Sequence, residues 1–303
     1  MTTDSPGTVH RDIEFHETPE RTLRLDVYEP TDAAPGGPRP TVVCFHGGGF
    51  HSGEKTQGSA QAQALADRGY VVVTPEYRLS GEATFPAALV DAKAAVEWCR
   101  AESETYGIDP QRIATAGHSA GANLATLVSV TANEPGFEPE RYPGVSSAVQ
   151  AAVGWAGLYD CRSFDEDPQI IVDYLGGTCE GVPTAYDFAS PMGQTDASTP
   201  PTLVVHGDAD ETLPIEQARR YADAVDALST GEFVVMEDEG HVFSDDGVER
   251  KIEETDRFLS AHLDGSEPLS GPERDRQAEG SVGGSLDPKR DRGEPPGSDR
   301  FDR

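Results

Sequence analysis

The stretch RIATAGHSAGANLA, residues 112–125, changes from one pattern of apolar residues to another within a few positions. Residues 113–116 form a short apolar run typical of a strand, and small and apolar residues at helical spacing begin at Ala122. Ser119 stands between the two patterns, with a glycine two positions away on each side. The pattern predicts a strand that turns sharply into a helix, because glycine leaves room for the backbone at a tight junction.

A serine at such a junction can carry chemistry. Its hydroxyl would be exposed at the end of the sheet, beside the free N–H groups and the positive dipole end of the next helix. Residues 117–121, GHSAG, match the G-x-S-x-G pattern that positions a nucleophilic serine. An ordinary glycine-rich turn with a helix-capping serine would give the same five residues, so the rest of the chain must decide between the two interpretations.

Strand and helix patterns alternate along the chain. An alternating segment at 12–30 predicts a hairpin, and continuous apolar runs predict strands buried on both faces at 41–46, 70–77, 150–160, 202–207 and 232–238. Helical patterns include 214–228, 248–263 and a long amphipathic candidate at 85–107. The alternation predicts an α/β fold with a doubly wound, mostly parallel sheet.

Two regions depart from this alternation. Residues 161–199 lie between two predicted strands, where a small cap or lid could cover a site. Residues 265–303 are dominated by glycine, proline and charge, which favours disorder. We therefore expect one catalytic domain at 1–264, with 161–199 as its cap insert and 265–303 as a disordered tail.

The chain is strongly acidic. It has 54 acidic and 24 basic residues, a formal net charge of −30 and four lysines among its 303 residues. Residues 265–303 contain nine acids and seven bases, so the other 264 residues carry 45 acids against 17 bases. Such a surface repels nucleic acid and anionic membranes, so neither is an expected partner. The acid-rich, lysine-poor composition resembles that of proteins from salt-accumulating halophiles.

The sequence shows no signal for secretion or for a membrane span. No apolar run approaches about 18 residues. The start, MTTDSPGTVHRD, lacks a basic segment followed by an apolar one, so we expect a cytoplasmic protein.

The cysteines and other candidate ligands indicate no cofactor. The four cysteines show no C-x-x-C spacing and are expected to be free thiols, although a bond between Cys161 and Cys179 stays open. No cluster of His, Cys and carboxylates has the spacing of a metal site. The glycines at 47–49 are not followed by the G-K-[ST] of a phosphate-binding loop. We therefore expect neither a metal nor a cofactor.

A nucleophilic serine needs a base and a carboxylate that orients the base. In this architecture the chain order is Ser, then Asp or Glu, then His, each on a loop after a strand. Asp208 and Asp210 follow the predicted strand at 202–207, and His241 follows the last predicted strand. Spacing alone does not choose between the two aspartates.

Negative charge that forms on a carbonyl oxygen during attack also needs backbone N–H donors. The segment CFHGGGFHSG, residues 44–53, follows a predicted strand, and its three successive glycines would let the main chain turn its amides outward. The residue after the serine, Ala120, is expected to supply another donor.

Several segments together resemble a known family. The chain is similar, over about residues 10–263, to α/β-hydrolase esterases of the hormone-sensitive-lipase-like and feruloyl/acetyl-esterase-like groups. The segments that carry the resemblance occur in the family's order: HGGGFHSGEK, TPEYRLS, FPAALVDAKAAVEWCR, YGIDPQRIATAGHSAGANLA, YLGG, ASPM, PPTLVVHGDADETLP and EGHVF.

The resemblance implies an eight-stranded sheet and a set of site residues. It implies that Ser119 is the nucleophile, His241 the general base and acid, and Asp210 the orienting carboxylate. It assigns the oxyanion hole to the amides of Gly47, Gly48 and Ala120. The implied activity is cofactor-free hydrolysis of small acyl esters with short chains, through an acyl-enzyme.

Two alternatives stay open. An arylformamidase would use the same chemistry on an N-formyl amide of the N-formylkynurenine type. A non-catalytic ligand-binding protein of the same fold is the other alternative. A plant hormone receptor that resembles these esterases has lost the catalytic histidine, whereas His241 is present here.

The charge generates the first prediction. Self-repulsion among the acidic side chains destabilises the folded state in dilute buffer, and salt screens it. We expect the melting temperature to rise between dilute buffer and about 2 M potassium chloride. Differential scanning calorimetry at several salt concentrations measures this, and an unchanged melting temperature would contradict the halophile interpretation.

Overall fold

The computed structural model describes residues 7–30, 37–132 and 134–263. Within these ranges the chain forms one sheet of eight strands, in the order β1-β2-β4-β3-β5-β6-β7-β8. The strands are β1 Val9–Glu17, β2 Thr22–Tyr28, β3 Arg39–Phe45, β4 Val71–Pro75, β5 Ile108–His118, β6 Ala151–Trp155, β7 Thr202–Gly207 and β8 Gly231–Met236. The strands β1 and β2 pair antiparallel with each other, β2 pairs antiparallel with β4, and the remaining five neighbouring pairs are parallel. The predicted eight-stranded, mostly parallel sheet is confirmed.

Helices connect the strands and flank the sheet. They are α1 Ser59–Ala66, α2 Ala87–Ala101, α3 Ser103–Tyr106, α4 Ala120–Val130, α5 Gln169–Leu175, α6 Pro183–Phe188, α7 Pro191–Gln194, α8 Ile215–Asp226 and α9 Asp245–Leu263. Short 3-10 helices occur at Lys55–Gly58 and Pro135–Phe137. In the described part of the chain no helix combines the length and apolarity that a membrane span requires.

The sheet is buried on both faces. Val43 of β3 belongs to a core that includes residues of α2 and α4. Its neighbour Val42 belongs to a second core, with residues of α1 and α9. Because successive side chains of a strand point to opposite faces, both must be apolar in a covered sheet. This explains the continuous apolar runs in the sequence.

Two predicted elements end more than two residues before their predicted limits. The helix predicted at 85–107 is divided at Glu102 into α2 and α3, and Gly107 ends α3 with a φ of 64°. The strand predicted at 150–160 ends at Trp155, because the next residue, Ala156, has a φ of 45° that no strand adopts.

The helix α2 is also not amphipathic, because its polar side chains Asp91, Lys93 and Glu97 are buried. Asp91 is fully buried and accepts hydrogen bonds from the guanidinium and the backbone N–H of Arg78. Lys93 is fully buried, and its Nζ lies 2.6 Å from a carboxylate oxygen of Glu138. These polar residues of the segment 85–107 therefore do not indicate a solvent-exposed face of the helix, contrary to the prediction of an amphipathic helix.

Other predictions from the sequence have different outcomes. The four cysteines are free thiols, so Cys161 and Cys179 are not bonded. The segment at 161–199 lies between β6 and β7 and contains α5, α6 and α7. Its role as a cap, and the domain limits 1–264, stay predictions. The disordered tail predicted at 265–303 falls outside the described residues.

The sharp turn predicted at Ser119 joins β5 directly to α4. Ser119 has φ 56° and ψ −117°, a conformation that few residues other than glycine adopt. A side chain at Gly117 would overlap the carbonyl oxygen of Gly121, and one at Gly121 would overlap the carbonyl oxygen of Phe45 in β3. The two glycines are required because three backbone segments meet at van der Waals distance.

This close approach gives a stability prediction. Gly121 lies in α4, where helix propensity alone would make Gly121→Ala stabilising by about 1 kcal/mol. The overlap with backbone that cannot move freely reverses the sign, and we expect a loss of about 1–3 kcal/mol in the free energy of unfolding. Urea denaturation in potassium chloride measures the difference.

Gly81→Ala is the matched control. Apart from its own atoms and those of its chain neighbours, no heavy atom of the described residues lies within 4 Å of the position that its Cβ would occupy, so the stability of Gly81→Ala should change little. Equal stability of the two variants would contradict the steric account of the turn.

Candidate active site

The turn places Ser119 beside two side chains from distant parts of the sequence. The Oγ of Ser119 lies 2.9 Å from Nε2 of His241, and Nδ1 of the same histidine lies 2.8 Å from Oδ2 of Asp210. The three residues follow β5, β8 and β7 at the carboxyl edge of the sheet. With Nδ1–H donating to the carboxylate, Nε2 is free to accept the serine proton.

The structure separates the two aspartates that spacing left open. Asp210 has a fully buried side chain and contacts His241. Asp208 is exposed, and its Oδ1 accepts a hydrogen bond from the backbone N–H of Asp238. Asp208 therefore holds the neighbouring turn, and only Asp210 is in contact with the histidine.

The carboxylate of Asp210 is stabilised in its ionised form. Burial alone would raise its pKa, but hydrogen bonds from the backbone of Leu213, from His241 and from the backbone of Thr212 lower the pKa below its ordinary value. His206 lies beside it, and burial lowers the pKa of this histidine. A neutral His206 donates from Nε2 to the carbonyl oxygen of Leu213, at 2.8 Å.

The glycine loop that follows β3 lies against the serine. A Cβ built on Gly47 would be 3.4 Å from Cβ of Ser119. Gly48 has a φ of 118°, and its carbonyl oxygen accepts the backbone N–H groups of His51 and Ser52. Between described residues, no hydrogen bond uses the backbone N–H of Gly47 or Gly48. Ala120 is the first residue of α4, where the N–H has no partner within the helix.

Buried contacts hold this loop in place. The hydroxyl of Tyr77 donates to the carbonyl oxygen of His46 at 2.9 Å, and the two rings stack with centroids 4.2 Å apart. Burial lowers the pKa of His46, and its Nδ1 lies 2.8 Å from the carbonyl oxygen of Gly47. The carbonyl oxygen of Phe50 accepts two hydrogen bonds from Ser80. The loop is therefore fixed before any ligand binds.

His118 fixes the segment that carries His241. Its Nε2 lies 2.8 Å from the backbone carbonyl oxygen of His241, and the two rings are 5.0 Å apart. Burial lowers the pKa of His118 to about 4, so it is neutral near pH 7 and donates this hydrogen bond from Nε2. Its position beside Ser119 was visible in the sequence, but its partner was not.

Ser119 and His241 line a cavity of about 710 Å³. Part of the wall comes from the core of α2 and α4 and from the segment at 161–199, and it is apolar: Phe50, Leu158, Phe164, Ile170, Ile171 and Leu213. The opposite wall comes from the 3-10 helix at Lys55–Gly58, from α1 and α9, and from the ends of β3 and β6. It includes Cys44, Gln57, Gln61, Trp155, Val248 and Lys251. Such a cavity accommodates a small organic ligand with an apolar part.

Lys251 was not identified from the sequence. It belongs to a helix of mixed polar and apolar residues in which a lysine is expected to face solvent, yet it is only 3% exposed. Among the described residues, no group of three or more His, Cys, Asp or Glu side chains is arranged to hold a metal ion.

Comparison with known proteins places this geometry in a family. Residues 25–225 match the BD-FAE family, a range that includes Gly47, Ser119 and Asp210 and ends before His241. Esterase LipC of Mycobacterium tuberculosis is 34% identical over 229 residues, which are 72% of this chain and 56% of the relative. Isoprenylcysteine alpha-carbonyl methylesterase ICME of Arabidopsis thaliana is 25% identical over 238 residues, 75% of this chain and 55% of that protein. The chain spans about half the length of the curated relatives it matches.

Solved structures share the whole fold. A truncated carbohydrate esterase from gut microbiota superposes with a TM-score of 0.78 and 22% identity over 87% of this chain and 99% of its own. Esterase Est2 of Thermogutta terrifontis, solved with butyrate bound, has a TM-score of 0.71 and 26% identity over 86% of this chain and 95% of its own. The sheet order, the turn at Ser119 and the matched residues together show that the chain belongs to the BD-FAE family and has the α/β-hydrolase fold of these esterases.

Proposed function

We propose that the protein is a carboxylic ester hydrolase whose nucleophile is Ser119. The observation that carries the proposal is the chain of hydrogen bonds from Ser119 through His241 to Asp210, with distances of 2.9 and 2.8 Å, at the wall of a ligand-sized cavity. A serine joined in this way to a histidine and a buried carboxylate is the arrangement that activates a hydroxyl for attack.

In the first half of the reaction the Oγ of Ser119 bonds to the acyl carbonyl carbon, and His241 takes its proton on Nε2. The carbonyl double bond becomes a single bond to an oxyanion. When the oxyanion collapses, the ester C–O bond breaks and His241 gives the proton to the leaving alcohol. An acyl-enzyme on Ser119 remains.

Asp210 acts through the histidine. It keeps Nδ1 protonated and the ring oriented, and its negative charge stabilises the imidazolium that forms during attack. Its lowered pKa keeps it ionised near neutral pH.

The backbone N–H groups of Gly47, Gly48 and Ala120 are the donors for the oxyanion in this proposal. They are fixed before the reaction by the contacts under the glycine loop and by the start of α4. A preorganised donor of this type contributes about 3–4 kcal/mol to transition-state stabilisation.

The second half of the reaction regenerates the serine. His241 removes a proton from water, whose oxygen attacks the acyl carbon. The new oxyanion collapses, the acyl group leaves as a carboxylic acid, and Ser119 recovers its proton from His241. No cofactor takes part in either half.

The substrate class follows from the cavity and the relatives. The apolar wall of the cavity fits a short acyl chain. The Thermogutta terrifontis esterase was solved with butyrate and with propionate bound. We expect small esters with short acyl chains to be the preferred substrates. A non-catalytic role is disfavoured, because such a role does not require the hydrogen-bonded His241.

The test compares hydrolysis of 4-nitrophenyl acetate, butyrate and octanoate by the native protein and its variants in molar potassium chloride. Ser119→Ala should lower kcat by at least about 10⁴-fold, because the nucleophile is lost while the cavity is kept. Asp210→Asn should lower it by on the order of 10³ to 10⁴-fold, because the histidine would lose its oriented tautomer.

Asp208→Asn is the matched control, since it makes the same chemical change two residues away at an exposed turn. It should keep most of the activity. Equal slow rates from the native protein and Ser119→Ala, both folded by circular dichroism, would refute the esterase proposal. Turnover of an N-formyl aryl amide by the native protein, with no turnover of esters, would indicate the arylformamidase alternative.

A further inference from the structure

Lys251 is a buried ammonium group at the wall of the cavity that contains Ser119. Its side chain is 3% exposed and lines the cavity. The Nζ lies 4.7 Å from the ring centroid of Trp155 and 5.4 Å from that of Phe243. Both rings present their faces to the cation, which partly compensates for its removal from water.

Lys251 has no anionic partner in the part of the chain that the structure describes. The other two lysines described there are paired: Nζ of Lys55 lies 2.6 Å from Asp26, and Nζ of Lys93 lies 2.6 Å from Glu138. No hydrogen bond or ion pair to a described residue involves Nζ of Lys251. In a chain with 54 acidic residues, this absence of a carboxylate is unexpected.

The wall of the cavity is free of acidic side chains in the same described ranges. It includes no Asp and no Glu, and Lys251 is the residue that brings a formal positive charge to it. The neighbouring Cys44 does not neutralise this charge, because burial raises the pKa of its thiol to about 12. The cavity therefore has the opposite electrostatic character from the acidic chain around it.

The ammonium remains charged near neutral pH. Burial lowers the pKa of Lys251 to about 8, which leaves most molecules protonated at pH 7. An isolated buried charge is unfavourable unless a counter-charge or hydrogen-bond acceptor reaches it. Because Lys251 lines the cavity, such a group on a bound ligand can reach Nζ from there.

A second unsatisfied polar atom lies on the same wall. Oε1 of Gln61, in α1, is buried without a hydrogen-bond partner among the described residues, and Gln61 lines the cavity together with Lys251. This oxygen is a hydrogen-bond acceptor and would pair with a donor group of a ligand, whereas an anionic group would pair with Lys251. Together with the apolar wall, the cavity can therefore hold a ligand that has one apolar part and one anionic part.

We propose that Lys251 forms a carboxylate-binding subsite, and that the preferred esters carry a carboxylate group in addition to the ester bond. The inference rests on the proposed function, because it assigns a substrate class to the site of Ser119. The carboxylate would accept a charge-assisted hydrogen bond from Nζ of Lys251.

The proposed subsite and the reacting serine line the same cavity. His118, the residue before Ser119, has its ring 6.4 Å from that of Phe243, and Phe243 in turn contacts Lys251. A substrate of several carbons would span from Oγ of Ser119 past these two rings. The carboxylate could belong to the acyl group or to the alcohol, and the two sources are distinguished by separate substrates.

The experiment compares matched ester pairs in which a carboxylate is replaced by a neutral methyl ketone of the same shape. For the acyl side these are the 4-nitrophenyl monoesters of adipic and suberic acid and their methyl ketone analogues. For the alcohol side they are 4-carboxyphenyl butyrate and 4-acetylphenyl butyrate. The measured quantity is the ratio of kcat/KM for the carboxylate over the ketone, within each variant.

We expect Lys251→Met to lower this ratio by roughly tenfold to a hundredfold in one of the two pairs, the loss expected for a hydrogen bond to a charged group. Arg250→Met is the control, because it removes a positive charge from the adjacent, exposed position of the same helix and should leave the ratio unchanged. Removing an unpaired buried charge should not unfold the protein. Lys251→Gln provides a second neutral variant.

A binding measurement separates this inference from the proposed function. Monomethyl adipate should bind Ser119→Ala more tightly than Ser119→Ala with Lys251→Met, by calorimetry at pH 7. If the native protein hydrolyses no ester but this difference is found, the subsite stands and the esterase proposal falls. Equal ratios in the native protein and Lys251→Met, together with equal affinities in the binding measurement, would overturn the subsite.

Discussion

The close approach of three backbone segments under Ser119 is the constraint on which the rest of the site depends. Gly117, Gly121 and the carbonyl oxygen of Phe45 meet where no side chain fits. Because β3, β5 and the start of α4 are in contact there, the serine, the glycine loop after β3 and the first N–H groups of α4 lie together. The stability lost by placing Ser119 at a φ of 56° is offset by the packing of the sheet on both sides.

The chain as a whole is strongly acidic, whereas the described wall of the cavity contains a lysine and no acidic residue. The net charge of −30 sets solubility and salt dependence, which are properties of the surface. Within the described ranges, the acid nearest to the chemistry is Asp210, whose charge is used through His241 and does not line the cavity. Lys251, which does line the cavity, supplies a positive charge that no described side chain neutralises.

The sequence predicted the elements that depend on local patterns and missed those that depend on contacts between distant residues. Apolar runs and the GHSAG motif identified the strands and the position of Ser119. Spacing could not choose Asp210 over Asp208, because the loop after β8 contacts both carboxylates, and only the folded structure shows which of them the side chain of His241 reaches. The burial of Lys93 in α2 and of Lys251 in α9 was not predicted, because a charged residue in a helical pattern normally indicates a solvent-facing side.

The central claim is that Ser119 is an activated nucleophile, and covalent labelling tests it most directly. The Thermogutta terrifontis esterase has been solved phosphorylated by paraoxon. After incubation of this protein with paraoxon, intact and peptide mass spectrometry should find one diethylphosphoryl group, attached to Ser119. Labelling should be absent in Ser119→Ala and much slower in His241→Ala, with the same fold by circular dichroism. An unlabelled native protein, or a label on another residue at equal rate in all three proteins, would contradict the account.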